Sequence, residues 1–149
     1  MLQTKAGEDA EAEQRPAWHW VLIGLAFVVT LFLPLSVAGL WVGARLAAAF
    51  AESRAATAWL GSTPVLAAFA FAAWASGALV GRFGADGLRP AVLGGALGGC
   101  GIFVLAVLGG ALRPWLLALL TGLLLTSVGA GFAALGARFG RRRRDPATR

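Results

Sequence analysis

Tyrosine is absent from this sequence, histidine and cysteine occur once each, and acidic side chains number only 7 in 149 residues. Each shortage closes a line of chemistry. A lone Cys100 can form neither an intramolecular disulfide nor a C-x-x-C redox pair, and it cannot supply the several soft ligands of a structural metal site. The lone His19 stands at the start of an apolar run with no carboxylate or thiol in reach along it, which makes it an interfacial residue rather than a base. The acidic residues (Glu8, Asp9, Glu11, Glu13, Glu52, Asp86 and Asp145) all fall outside the long apolar runs. Intramembrane carboxylates, the usual mark of proton relays and charged-substrate paths, are therefore missing. No catalytic, cofactor-binding or metal-ligating residue is assigned, and an enzyme is not expected.

What is present is apolar: 58% of residues are hydrophobic and 13% charged, against about 25% charged in an average soluble domain. Four stretches lack Asp, Glu, Lys and Arg altogether, 29 residues between Arg15 and Arg45, 27 between Arg54 and Arg82, 23 between Arg89 and Arg113, and 24 between Arg113 and Arg138. Each exceeds the roughly 20 residues that a helix needs to span a bilayer. These runs are apolar on every face, which excludes the alternating pattern of a membrane barrel. The fold class expected is an all-α membrane protein with four transmembrane helices, near 20–43, 63–81, 90–110 and 115–137, in an up-down bundle within residues 18–140. Residues 1–17 read as a disordered acidic tail and 141–149 as a basic tail. Residues 1–17 are too acidic and the run after them too long for a cleaved signal, so the first helix is expected to stay as an anchor.

Lys and Arg set the expected orientation. The N-tail (Lys5, Arg15), the central loop (Arg82, Arg89) and the C-tail (Arg138, Arg141, Arg142, Arg143, Arg144, Arg149) carry ten, against three on the other side (Arg45, Arg54, Arg113). By the positive-inside rule both termini are cytoplasmic. Trp18 and Trp20 at one end of the first run, with Trp41, Trp59 and Trp115 at the other boundary, suit two aromatic belts. The excess of arginine over lysine, with abundant Ala and Gly, points to a bacterial inner membrane. The basic cluster Arg138, Arg141, Arg142, Arg143 and Arg144 reads first as a topology determinant; contact with anionic lipid would add up to ~1 kcal/mol per arginine. Nucleic acid is not an expected partner.

Local signals divide the rest. Residues 44–62 read either as a short interfacial helix or, in the favoured version, as a continuation of the first helix that turns at Gly61 to Pro64. Pro34 should kink the first helix. The run Ala78 to Gly84 resembles Ala134 to Gly140 in its Arg-Phe-Gly ending, a weak sign of duplication. The hydroxyls at depth (Thr30, Ser36, Ser76, Thr121, Thr126 and Ser127) should each bond back to a carbonyl one turn earlier; a polar seam at Thr126 and Ser127 is the other reading.

The third helix carries the strongest pattern. At 100° per residue Ala91, Gly94, Gly95, Gly98, Ala106 and Gly109 share one face with Ile102, and Leu93, Leu97, Cys100, Val104 and Val107 lie opposite. Two G-x-x-x-G pairs, Gly94 with Gly98 and Gly95 with Gly99, allow close backbone approach, either to helices of the same chain or to another subunit. Small faces on the second helix (Ala68, Ala72, Ala73, Ser76, Gly77, Gly81) and on the fourth (Gly129, Ala133, Ala137) match it. Two functions follow: a non-catalytic accessory, assembly or scaffold subunit acting by helix packing on another membrane protein or on its own copies, or a small oligomeric transporter or channel for an uncharged or anionic solute.

Overall fold

A computed structural model describes residues 16–50, 53–84, 88–108 and 115–142 of the chain. Four helices make up nearly all of these residues: α1 (Ala17–Ala49), α2 (Arg54–Phe83), α3 (Arg89–Leu108) and α4 (Trp115–Arg142). Each is long and apolar enough to cross a membrane. At about 1.5 Å per residue their 33, 30, 20 and 28 residues make rods of roughly 50, 45, 30 and 42 Å. The tails expected at 1–15 and 143–149 lie outside the described residues.

The largest departure from the sequence reading is the α1–α2 connection. α1 ends at Ala49, where the Phe50 N–H donates to the Ala47 carbonyl at 3.3 Å. Ser53 opens α2: its hydroxyl accepts from the Ala56 N–H at 3.4 Å, and its carbonyl accepts the Thr57 hydroxyl at 2.9 Å. No turn forms at Gly61 to Pro64, because α2 runs straight through both. Pro64 removes the ladder bond to the Leu60 carbonyl. In the turn beneath it the Ser62 and Thr63 hydroxyls donate to the carbonyls of Ala58 (2.9 Å) and Trp59 (2.6 Å), and Gly39 of α1 packs on the Pro64 backbone. α1 likewise continues through Pro34, with the Ser36 hydroxyl donating to Leu33 O at 2.8 Å.

Round the bundle the helices are ordered α1, α2, α4, α3. The most extensive pairings are α1 with α2 and α2 with α4, followed by α3 with α4 and α1 with α3; α2 and α3, consecutive in the chain, meet less, across one diagonal, and α1 and α4, across the other, hardly at all. The α3–α4 pairing is third because the long rods α1 and α4 each share more length with α2 than the shorter α3 can offer. Along α1, Gly24 meets Ser76 and Val80 of α2, Gly39 meets Pro64, and Gly43 meets Gly61, so partner numbers fall as those of α1 rise. Between α1 and α3 they rise together, Gly94 lying on Val21 to Leu25 and Gly98 on Val28.

Large residues are few in the core. Val28 and Phe69 are the largest fully buried side chains, and Ala72, Ala73, Ala133 and Ala137 fill most of the remainder. Large apolar side chains point outward instead, Val37 (68% exposed), Leu105 (67%) and Leu123 (68%) among them, as suits a lipid solvent that is itself apolar. Trp20, expected in an aromatic belt, packs with Leu88 against the buried cluster of Val80, Ala91 and Ala137.

The α1–α2 contact makes an asymmetric prediction. A methyl at Gly43 would run into the Gly61 carbonyl, whereas one at Gly61 would find only Ala47 Cβ at 3.9 Å. Gly43→Ala should therefore destabilise the protein by about 1–3 kcal/mol, and Gly61→Ala should be neutral or stabilising by up to ~1 kcal/mol through helix propensity. Unfolding in mild detergent, followed by circular dichroism, measures both.

Candidate helix-packing interface

α3 is flat on two adjacent sides, and each receives a different helix. Gly94 and Gly98 lie on α1: a methyl at Gly94 would stand 3.3 Å from the Val21 carbonyl, and one at Gly98 3.0 Å from Val28 Cγ1. Gly95 and Gly99 lie on α4: a methyl at Gly95 would collide with the Gly129 carbonyl, and one at Gly99 would stand 2.6 Å from Leu125 O. Ala91, Gly94, Gly95, Gly98 and Gly99 are all buried, and Ala106 is partly so. Gly109 lies outside the described residues. Leu93, Leu97, Cys100, Val104 and Val107 are exposed on the other side. Gly99 falls off the small face of a helical wheel drawn for a single partner; with two neighbours the face widens to include it.

α4 answers with a small face of its own, Gly122, Gly129, Ala133, Gly136, Ala137 and Gly140, all buried. Gly129 meets Gly95, while Gly136 and Gly140 lie against the backbone of α2 at Trp74, Ala78 and Arg82. In return Gly77 and Gly81 of α2 lie against Ala133 and Ala137. The two helices thus exchange G-x-x-x-G pairs, Gly77 and Gly81 lying on α4 and Gly136 and Gly140 on α2. Gly77 and Gly81 fall on Ala133 and Ala137, the positions that the shared Arg-Phe-Gly ending matches with them. The spacing of Gly136 and Gly140 is visible in the sequence, but the helix they meet is not.

Three side chains act as knobs in holes that glycine leaves. Val28 fills the space at Gly98, and Phe69 that at Gly129, where a methyl would stand 3.0 Å from its Cζ. Phe69 is also held edge-on by Phe32, centroids 5.8 Å apart at 82°. Phe103 covers Gly122 in the same way, its ring atoms 3.1 Å from where a methyl on that glycine would stand.

Polar groups in the interior are few and locally satisfied. Buried Ser76 does not bond back along α2; its hydroxyl donates to the Gly24 carbonyl of α1 at 2.8 Å, which the bare glycine makes reachable. Thr126 does donate to its own helix, at Gly122 O (2.8 Å), and its oxygen also lies 3.4 Å from Cys100 Sγ on α3. This is the one part of the expected Thr126 seam that crosses between helices; Ser127 faces outward. His19 stacks on Trp18, centroids 3.8 Å apart, and its buried Nδ1 has no hydrogen-bond partner among the described residues. Of the basic cluster, Arg138, Arg141 and Arg142 stand on the last turns of α4, with Arg138 and Arg142 exposed; Arg143 and Arg144 lie outside the described residues.

The geometry separates glycines by what they touch. Gly95→Ala and Gly77→Ala should each cost about 1–3 kcal/mol by driving backbones apart, and Ser76→Ala about 0.6 kcal/mol, the usual worth of an interhelical bond in a bilayer. Gly101→Ala, with nothing within 4 Å of the added methyl, should be neutral or slightly stabilising. Thermal unfolding in detergent, ranked across the four variants, checks the order. The chain matches no protein-family model, none of the curated proteins and none of the solved structures.

Proposed function

We propose that this chain is a multi-pass protein of a bacterial inner membrane, an up-down bundle with both termini in the cytoplasm, that serves as a non-catalytic accessory, assembly or scaffold subunit. The ten-to-three division of Lys and Arg supports the orientation, and the contact registers of α1 with α2 and of α3 with α4 support the alternating directions. The observation that carries the functional reading is how the interior is spent. Facing helices meet backbone to backbone, and the hydroxyls of Ser76 and Thr126 are bonded between or within helices rather than turned toward a path. Such an interior holds a shape.

The small face of α3 is covered by α1 and α4 of the same chain. A partner subunit, or a second copy, therefore docks on outward faces. One of these is a cleft of about 540 Å³ between α1 and α3, lined by Val29, Phe32, Leu33, Leu97, Gly101 and Leu105 among others. Gly101 forms part of its wall, and among the described residues nothing stands within 4 Å of a methyl added there, which leaves room for another helix to approach.

Two experiments test this reading. Single cysteines at Ala10, Ala85 and Thr148, in a Cys100→Ser background, should be shielded from an impermeant thiol reagent in intact cells, and those at Ser53, which precedes α2, and Arg113 should react; the reverse pattern would overturn the orientation. Gly101→Leu should fill the cleft and abolish association in mild detergent, measured by mass and co-purification, while circular dichroism stays that of the parent. Unchanged association, or solute flux through vesicles holding the purified protein, would favour the transporter reading instead.

A further inference from the structure

Besides Gly101, one other glycine among the described residues packs on nothing in the chain: Gly131 of α4, exposed and with no atom within 4 Å of an added methyl. A glycine in mid-helix is costly relative to alanine, and here no close approach inside the bundle uses it. It floors a shallow outward groove of about 510 Å³ whose walls are Ser127, Val128, Phe132, Ala134 and Leu135 and whose end is Arg138. Leu124, Gly131, Leu135, Arg138 and Arg142 follow one exposed stripe along α4, opposite the small face that meets α2 and α3. The groove is thus apolar for most of its length and cationic at the end of the helix.

Resting on the reading of this chain as a membrane-spanning bundle, we infer that the groove seats an anionic phospholipid, one acyl chain lying in the notch over Gly131 and the phosphate on Arg138, with Arg142 one turn beyond. Ser127 to Arg138 covers roughly 16 Å of helix, comparable with most of an acyl chain. The charges are complementary, Arg138 and Arg142 both being exposed. Arg138, Arg141 and Arg142 stand at i, i+3 and i+4, spacing at which like charges repel one another, and a bound phosphate relieves that repulsion. A guanidinium fork holds phosphate bidentately, so the site favours Arg over Lys at position 138.

The test is lipid retention by the full-length protein, purified in mild detergent with equimolar phosphatidylglycerol and phosphatidylcholine and read by native mass spectrometry. The parent should keep phosphatidylglycerol over phosphatidylcholine by about five-fold or more, and excess inorganic phosphate should not displace it, since the acyl chain carries part of the binding. Gly131→Leu and Arg138→Gln should each abolish the preference, and Arg138→Lys should restore it in part. Gly131→Leu adds its side chain to open space, so the fold, read by circular dichroism, should be unchanged, and Gly101→Leu, in the other cleft, should leave lipid retention at the parent's level. Equal retention of the two lipids by the parent, or a full preference surviving in Gly131→Leu, would overturn the assignment. Because association is read separately, through Gly101→Leu, a failure here is distinguishable from a failure of the subunit reading.

Discussion

Everything in this bundle depends on backbones being allowed to touch. In a bilayer there is no gain from hiding one apolar side chain against another, since lipid is equally apolar, and helices hold together by dispersion contacts, weak Cα–H hydrogen bonds and occasional polar bonds that all require short distances. Gly95 on Gly129, Gly77 and Gly81 on Ala133 and Ala137, and Gly136 and Gly140 on Trp74 and Ala78 supply those distances. The same closeness brings the Ser76 hydroxyl to the Gly24 carbonyl and leaves the hollows that Val28 and Phe69 fill. Add a methyl at any of the tight positions and the helices must separate along their length, because the contacts lie on rigid rods.

That constraint explains which features are legible in the sequence. Four long charge-free runs dictate four helices by length alone, and the periodicity of Ala91, Gly94, Gly95 and Gly98 shows that α3 has a flat side. The G-x-x-x-G spacing also marks Gly99, but which helix meets each glycine is not legible, because a helical wheel has no information about how many helices surround it. The departure at Gly61 to Pro64 has a related cause. Gly and Pro end helices in water, where freed backbone groups find solvent; in an apolar setting the helix continues, Ser62 and Thr63 bond the nearby carbonyls, and Gly61 becomes the surface that Gly43 rests on. Ser76 departs from its expected local bond for the plainest reason: its acceptor is 52 residues away in sequence, and no local pattern encodes it.

The division of labour among glycines links the fold to the proposed work of the protein. Most of those in the spans touch backbone or a buried side chain and serve the bundle. Among the described residues Gly101 and Gly131 have nothing within 4 Å of an added methyl and line two outward clefts, one almost wholly apolar and one capped by Arg138. A closely packed interior with recesses of this kind on its outward surface suits the proposed role, which is to be packed against, by a helix in one recess and by a lipid in another.

The central claim, that α3 packs along α4 of the same chain, can be tested with the native thiol at the edge of that contact. Cys100 Sγ lies 3.4 Å from Thr126 Oγ1, so Thr126→Cys brings two sulfurs within bonding range, while Ser127→Cys, one position on, faces outward. On mild oxidation in membranes, Thr126→Cys should form an intramolecular disulfide, seen as loss of free thiol in a monomer of unchanged mass apart from two hydrogens, and Ser127→Cys should not. A disulfide-linked dimer from Thr126→Cys, or no disulfide at all, would show that α3 does not lie along α4 of its own chain in this register and would contradict the account.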